Sequence, residues 1–75
     1  MSLSNVKLKI PCVVKEIKIK EEQTKFRLME LGLIEGCEVV VFKKSIYKKT
    51  LLLFFAGLCF TLKQNLAEQI EVEYA

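Results

Sequence analysis

The chain has no histidine, no aspartate, no tryptophan and a single proline, Pro11. Without histidine and aspartate there is no Ser-His-Asp triad, no imidazole metal ligand and no imidazole base titrating near neutrality. No glycine-rich loop follows a strand to cradle a phosphate, so any nucleotide chemistry coupled to this chain belongs to a partner. With no tryptophan and only Tyr47 and Tyr74 as tyrosines, the aromatic canyon that polyproline ligands need is missing. Cysteine is sparse: Cys12, Cys37 and Cys59 are odd in number and contain no CxxC pair. That pattern argues against a disulfide framework or zinc knuckle and for three small core residues in a reducing compartment. Long apolar runs are also absent. Leu51–Phe60 is apolar throughout but interrupted by Gly57, and it is about half the ~20 residues of a membrane-spanning helix. The N-terminus lacks the basic-then-apolar order of a signal peptide. These features together predict a cytoplasmic, non-enzymatic protein with no cofactor and no metal site.

What is there points to one small folded unit. The 75 residues are 52% hydrophobic and 28% charged, with a formal net charge of +3, a composition that collapses instead of staying disordered. Residues 1–75 read as a single domain, with 1–5 as a loose end. From Val6 to Lys20 the apolar residues largely alternate with lysines at a period of two, which predicts half-buried strand, with Pro11 marking an edge, a strand start or a bend between two short strands. A short helix is predicted over Gln23–Leu31, with Glu21 and Glu22 at the positive end of its dipole and Gly32 as a left-handed cap. Its Phe26, Leu28 and Met29 are expected to pack on a sheet, because a helix of two or three turns is not stable alone. Gly36 is expected in a positive-φ turn. Cys37–Phe42 reads as a strand, Lys43–Lys49 as a hairpin loop, and Thr50–Phe55 and Leu58–Lys63 as strands joined by Ala56-Gly57. A helical turn at Gln64–Glu68 and a closing strand, Ile70 to Tyr74, complete the chain. Five short strands with one inserted helix make a mainly β, partly open small barrel.

Charge singles out one candidate surface. Lys43, Lys44, Lys48 and Lys49 put four lysines in seven residues, with Tyr47 between them. This is a candidate docking surface for an acidic partner, a phospholipid headgroup, or RNA or the ribosome. Against RNA, no strand carries the aromatic pair on which bases stack, so no nucleic acid is expected. Met29 and Leu33 are further candidates if an apolar patch is left over beside the helix. Glu30, Glu35, Cys37 and Glu38 are close in sequence, but glutamates flanking a turn are ordinarily solvated, and no metal ligand set is assigned to them.

The stretch RLMELGLIEGCEVVV, Arg27 to Val41, is similar to the Arg-Leu-x-x-Leu-Gly-Leu-x-x-Gly-x-x-Val signature of the FeoA family. Gly57 through Lys63 resembles the family's glycine-to-Leu-Arg strand, and Ala67, Ile70 and Val72 match its closing Ala-x-x-Ile-x-Val. Glu35 stands where many members have proline, and Lys63 where arginine is commoner. The resemblance implies an SH3-like barrel with a helix after the first strand, in which Gly32, Gly36 and Gly57 are structural turn positions. It also implies a non-enzymatic accessory role in bacterial ferrous iron uptake. The implied partner is FeoB, the permease with a cytosolic GTP-binding domain, so that the membrane is reached only indirectly.

Overall fold

A computed structural model describes residues 1–75. Alternating β-branched and polar residues build five strands: β1 (Cys12–Ile17), β2 (Glu38–Ser45), β3 (Thr50–Phe55), β4 (Leu58–Lys63) and β5 (Ile70–Tyr74). Helix α1 (Glu22–Glu30) follows β1, a single helical turn α2 (Gln64–Ala67) precedes β5, and a 3₁₀ turn occupies Leu3–Asn5. The strands form one antiparallel sheet in the order β4-β3-β2-β1-β5. The mainly β architecture with a helix inserted after the first strand is the predicted one, although β4 and β5 do not pair to close it.

The core lies inside the curled sheet and is entirely apolar: all 17 buried residues are hydrophobic, and no buried side-chain nitrogen or oxygen lacks a hydrogen-bond partner. Val14, Val39, Val41, Leu51, Leu53, Ile70 and Val72 supply its strand layer, as period-two burial requires. Two bulges bend the strands around it. In β1 the register with β5 shifts between Val14 and Glu16, and in β2 the register with β3 shifts between Val41 and Lys43. The second bulge leaves Phe42 on the outer face, edge-on to Phe54 with ring centroids 4.6 Å apart, a favourable aromatic geometry.

Local turn chemistry sets the connections. Helix α1 ends where Leu33 N–H donates to the Leu28 carbonyl and Gly32 N–H to the Met29 carbonyl. These are the paired bonds of a Schellman cap, with Gly32 at φ 109° in the position that needs no Cβ. Gly36, at φ 89°, donates to the Val14 carbonyl and Val14 donates back to Cys37, which steers the chain into β2. Ala56 (φ 49°) and Gly57 (φ 75°) are the two central residues of the β3–β4 turn, the positive-φ pair that suits a two-residue hairpin.

Several expectations are corrected. Residues 1–5 are not loose: Leu3 is fully buried, Val72 N–H donates to the Met1 carbonyl at 2.8 Å, and Ser2 bridges to Glu71. Val6–Ile10 is not a strand, despite its alternation. Lys9 turns at φ 66° and donates to the Val41 carbonyl, leaving Leu8 and Ile10 exposed. On α1 only Leu28 is buried, while Phe26 and Met29 are 66% and 44% exposed. The reason is angular: residues two apart on a helix point roughly 200° apart, so Phe26 cannot share a face with Leu28. Leu33, a candidate for an exposed patch, is fully buried instead. Strand β2 runs on through Lys43 and Lys44 to Ser45, which shortens the hairpin loop to four residues.

Gly32 is the position least tolerant of a side chain. A Cβ there would lie 2.8 Å from the Ala56 Cβ, whereas one on Gly36 would meet nothing within 4 Å. Gly32→Ala is expected to lower unfolding free energy by roughly 2 kcal/mol or more and Gly36→Ala by about 1 kcal/mol. Urea denaturation of the two variants checks the order; equal losses at both sites would refute the close-approach account.

Candidate functional site

An apolar core without buried charge leaves function to the surface, and three places on that surface stand out. The first is the β2–β3 hairpin. Ser45 pairs with Thr50, and between them Ile46, Tyr47, Lys48 and Lys49 form the loop. Lys48 N–H donates to the Ser45 hydroxyl at 3.3 Å, Lys49 adopts φ 52°, and the Lys49 carbonyl accepts from Gln64 N–H at 2.8 Å. Serine at the loop start and a left-handed residue at its end are ordinary turn devices. The loop is therefore tied at both ends, and its tip projects: Ile46 is 86% and Tyr47 100% exposed. Lys43, Lys44, Lys48 and Lys49 are all exposed around it. None of the four forms an ion pair; Lys44 donates to the Ser4 carbonyl at 2.7 Å.

The second place is the outward face of α1, where Phe26 and Met29 stand one turn apart among Glu22, Arg27 and Glu30. At the helix start the Thr24 hydroxyl donates to the Glu21 carboxylate at 2.6 Å, and Glu22 in the first turn and Arg27 in the last both suit the dipole. The third is a cleft of about 240 Å³ between α1 and the β4–α2 corner, floored by Leu28, Leu31, Phe60, Leu62 and Leu66. Of the candidate residues, the structure gathers Lys43, Lys44, Tyr47, Lys48 and Lys49 on one hairpin. It places Met29 elsewhere and withdraws Leu33 to the core. Phe26 and Ile46 belong to these surfaces, yet their sequence context reads as core or loop. The signal available for Phe26 was its two-residue offset from Leu28.

The cysteines divide by environment. Cys12 is buried, Cys37 half-buried and Cys59 exposed on β4, so only one of the three is a full core residue. Burial pushes the Cys12 thiol up, and its Sγ donates to the Ile10 carbonyl at 3.4 Å. Glu71 is held below the ordinary carboxylate range, first by a hydrogen bond from the Met1 amino group, with Lys18 at 3.8 Å adding to it. No three His, Cys, Asp or Glu side chains converge as a metal-binding group, and Glu30, Glu35, Cys37 and Glu38 do not form one.

Comparison with known proteins decides the family. The FeoA domain model matches residues 1–74. The chain belongs to the FeoA family. FeoA proteins are associated with ferrous iron transport, and solved FeoA structures have the same SH3-like fold. FeoA of Chlorobium tepidum is 27% identical with a TM-score of 0.90, the match covering 99% of this chain and 70% of that one. FeoA of Stenotrophomonas maltophilia, solved as a zinc complex, is 28% identical with a TM-score of 0.82, covering 97% of this chain and 89% of that one. The fold alone is shared with IdeR of T. acidophilum, at 17% identity and a TM-score of 0.83, where this FeoA domain spans 34% of the longer chain. No curated protein matches the chain. No helix is long and apolar enough to cross a membrane.

The thiol environments set an order of reactivity, since attack needs an accessible thiolate. Labelling of the native domain with a small disulfide reagent at neutral pH is expected to modify Cys59 first and Cys37 more slowly. Cys12 is expected to react only after denaturation. Mass spectrometry of timed samples checks the order, and early labelling of Cys12 would contradict its burial.

Proposed function

We propose that this FeoA domain is a non-enzymatic, cytosolic accessory protein that binds the cytosolic region of a FeoB-type ferrous iron permease and modulates Fe(II) transport. The observation that carries the proposal is the FeoA-domain match along residues 1–74. The Stenotrophomonas relative, described as a candidate activating factor for ferrous iron transport, supports the same reading. So do a sequence without histidine or aspartate and a core without a buried polar side chain, which suit a module that acts by being bound.

Of the three surface places, the protein contact is assigned to the outward face of α1. Phe26 and Met29, three positions apart on α1, are both exposed, and Glu22, Arg27 and Glu30 border Phe26 with charges of both signs. That composition suits a protein interface, where aromatic and methionine anchors sit inside a polar rim. The lysine hairpin exposes Ile46 and Tyr47 amid lysines alone and lacks that rim of mixed charge.

Two measurements test this. Deleting the gene is expected to reduce Fe(II) uptake, and the purified domain is expected to capture the cytosolic region of its permease. Phe26→Glu combined with Met29→Glu is expected to weaken capture at least tenfold while leaving the melting temperature within a few degrees, because both side chains are largely solvated. Normal uptake without the gene and no capture would sink the function; capture unaffected by the double variant would sink the assignment to α1.

A further inference from the structure

We propose that the β2–β3 hairpin is a membrane-contact device whose tip enters the interface of an anionic bilayer while the surrounding lysines engage headgroup phosphates. Three observations lead there. The tip residues are an aliphatic and an aromatic side chain, Ile46 and Tyr47, 86% and 100% exposed on a loop that the structure anchors at both ends. Around them stand Lys43, Lys44, Lys48 and Lys49, and a shallow concavity beside the loop adds Lys63. None of these five ammonium groups pairs with a carboxylate; Glu68 is the one acidic residue on that concavity.

Each component has a place in a bilayer interface. Tyrosine is favoured at the headgroup level because its ring is apolar and its hydroxyl stays wet. Isoleucine gains by leaving water, and a bilayer supplies an apolar medium without needing a pocket shaped to receive it. Lysines are drawn to the negative surface potential and keep their hydration beside phosphates. The alternatives fit less well. A polynucleotide would use the lysines and stack on Tyr47, but an aliphatic Ile46 offers no stacking face. An acidic protein would need a cavity for a convex tip whose two largest side chains stand almost wholly in solvent. In this arrangement the hairpin holds the domain against lipid, and the α1 face, which shares no residue with the hairpin, remains available. The proposal does not depend on the permease reading, since it concerns lipid alone.

The test uses the full chain and vesicles of phosphatidylcholine with about one third phosphatidylglycerol. Binding is expected to these vesicles and not to pure phosphatidylcholine, weakening as salt shortens the reach of the charges. Lys48→Ala with Lys49→Ala is expected to weaken binding about 25-fold, at about fivefold per lysine. Ile46→Ser with Tyr47→Ser, which leaves the charge unchanged, is expected to weaken it on the order of tenfold. Because the chain has no tryptophan, Tyr47→Trp adds a single reporter, whose emission is expected to shift to the blue and to be quenched by brominated lipid. All these positions are exposed, and circular dichroism melts verify that each variant folds. Absence of vesicle binding at low salt, or binding unchanged by Ile46→Ser with Tyr47→Ser, would overturn the proposal. So would indole emission from the Tyr47→Trp variant that stays unshifted on vesicles while single-stranded RNA binds more tightly.

Discussion

The left-handed turn at Gly32 is the constraint on which the rest of this domain depends. Its two hydrogen bonds end α1, and its missing Cβ lets the β3–β4 turn approach to a distance no side chain would allow. That approach brings Leu33 and Leu28 into one core with Phe55 and Leu62. It also aims the chain at Gly36, whose own turn delivers β2 in register with β1. A helix as short as α1 has little stability of its own, so the cap and the single buried Leu28 hold it in place. Its other apolar residues are thereby left to the solvent.

Most of the strand layout was legible because strand periodicity and turn chemistry agree. β3, β4 and β5 and the Ala56-Gly57 turn have the expected bounds, and Gly32 and Gly36 have the positive φ their sequence context predicts. What failed did so for identifiable reasons. Alternation in Val6–Ile10 mimics a strand, but the proline that follows and the left-handed Lys9 divert that backbone. Leu3 reads as part of a polar tail because nothing nearby in sequence reveals that β5, at the far end of the chain, covers it. The lysine cluster was plain in the sequence, yet the bulge at Phe42 and the extension of β2 decide that only four residues form the loop. Exposure of Phe26 follows from helix geometry, which turns it away from the face that Leu28 buries.

The surface is divided by chemistry. Mixed charge surrounds the apolar pair on α1, lysine dominates the β2–β3 hairpin, and glutamates line the C-terminal strand, where Lys15 and Lys18 answer Glu73 and Glu71 at 3.6 and 3.8 Å. Exposed pairs of that kind contribute little to stability. What they do is neutralise β5 locally, while the four hairpin lysines are left without ion pairs. A molecule this small thus carries chemically distinct faces around one core, with every buried side chain apolar.

The pairing of β1 with β5 has a consequence for how the chain becomes folded. Cys12 lies opposite Tyr74 and Ile17 opposite Ile70, so the edge strand β5 is paired with residues from the opposite half of the sequence. The β2–β3–β4 meander joins residues close in sequence, whereas β1 gains its β5 partner only by closing the long loop between Ile17 and Ile70, which costs more chain entropy. Val14 and Ile17, both buried, lie opposite Val72 and Ile70, so their burial depends on a strand distant in sequence. Any chain interrupted before Ile70 lacks the β5 partner of β1 and leaves an apolar strand edge without its ladder.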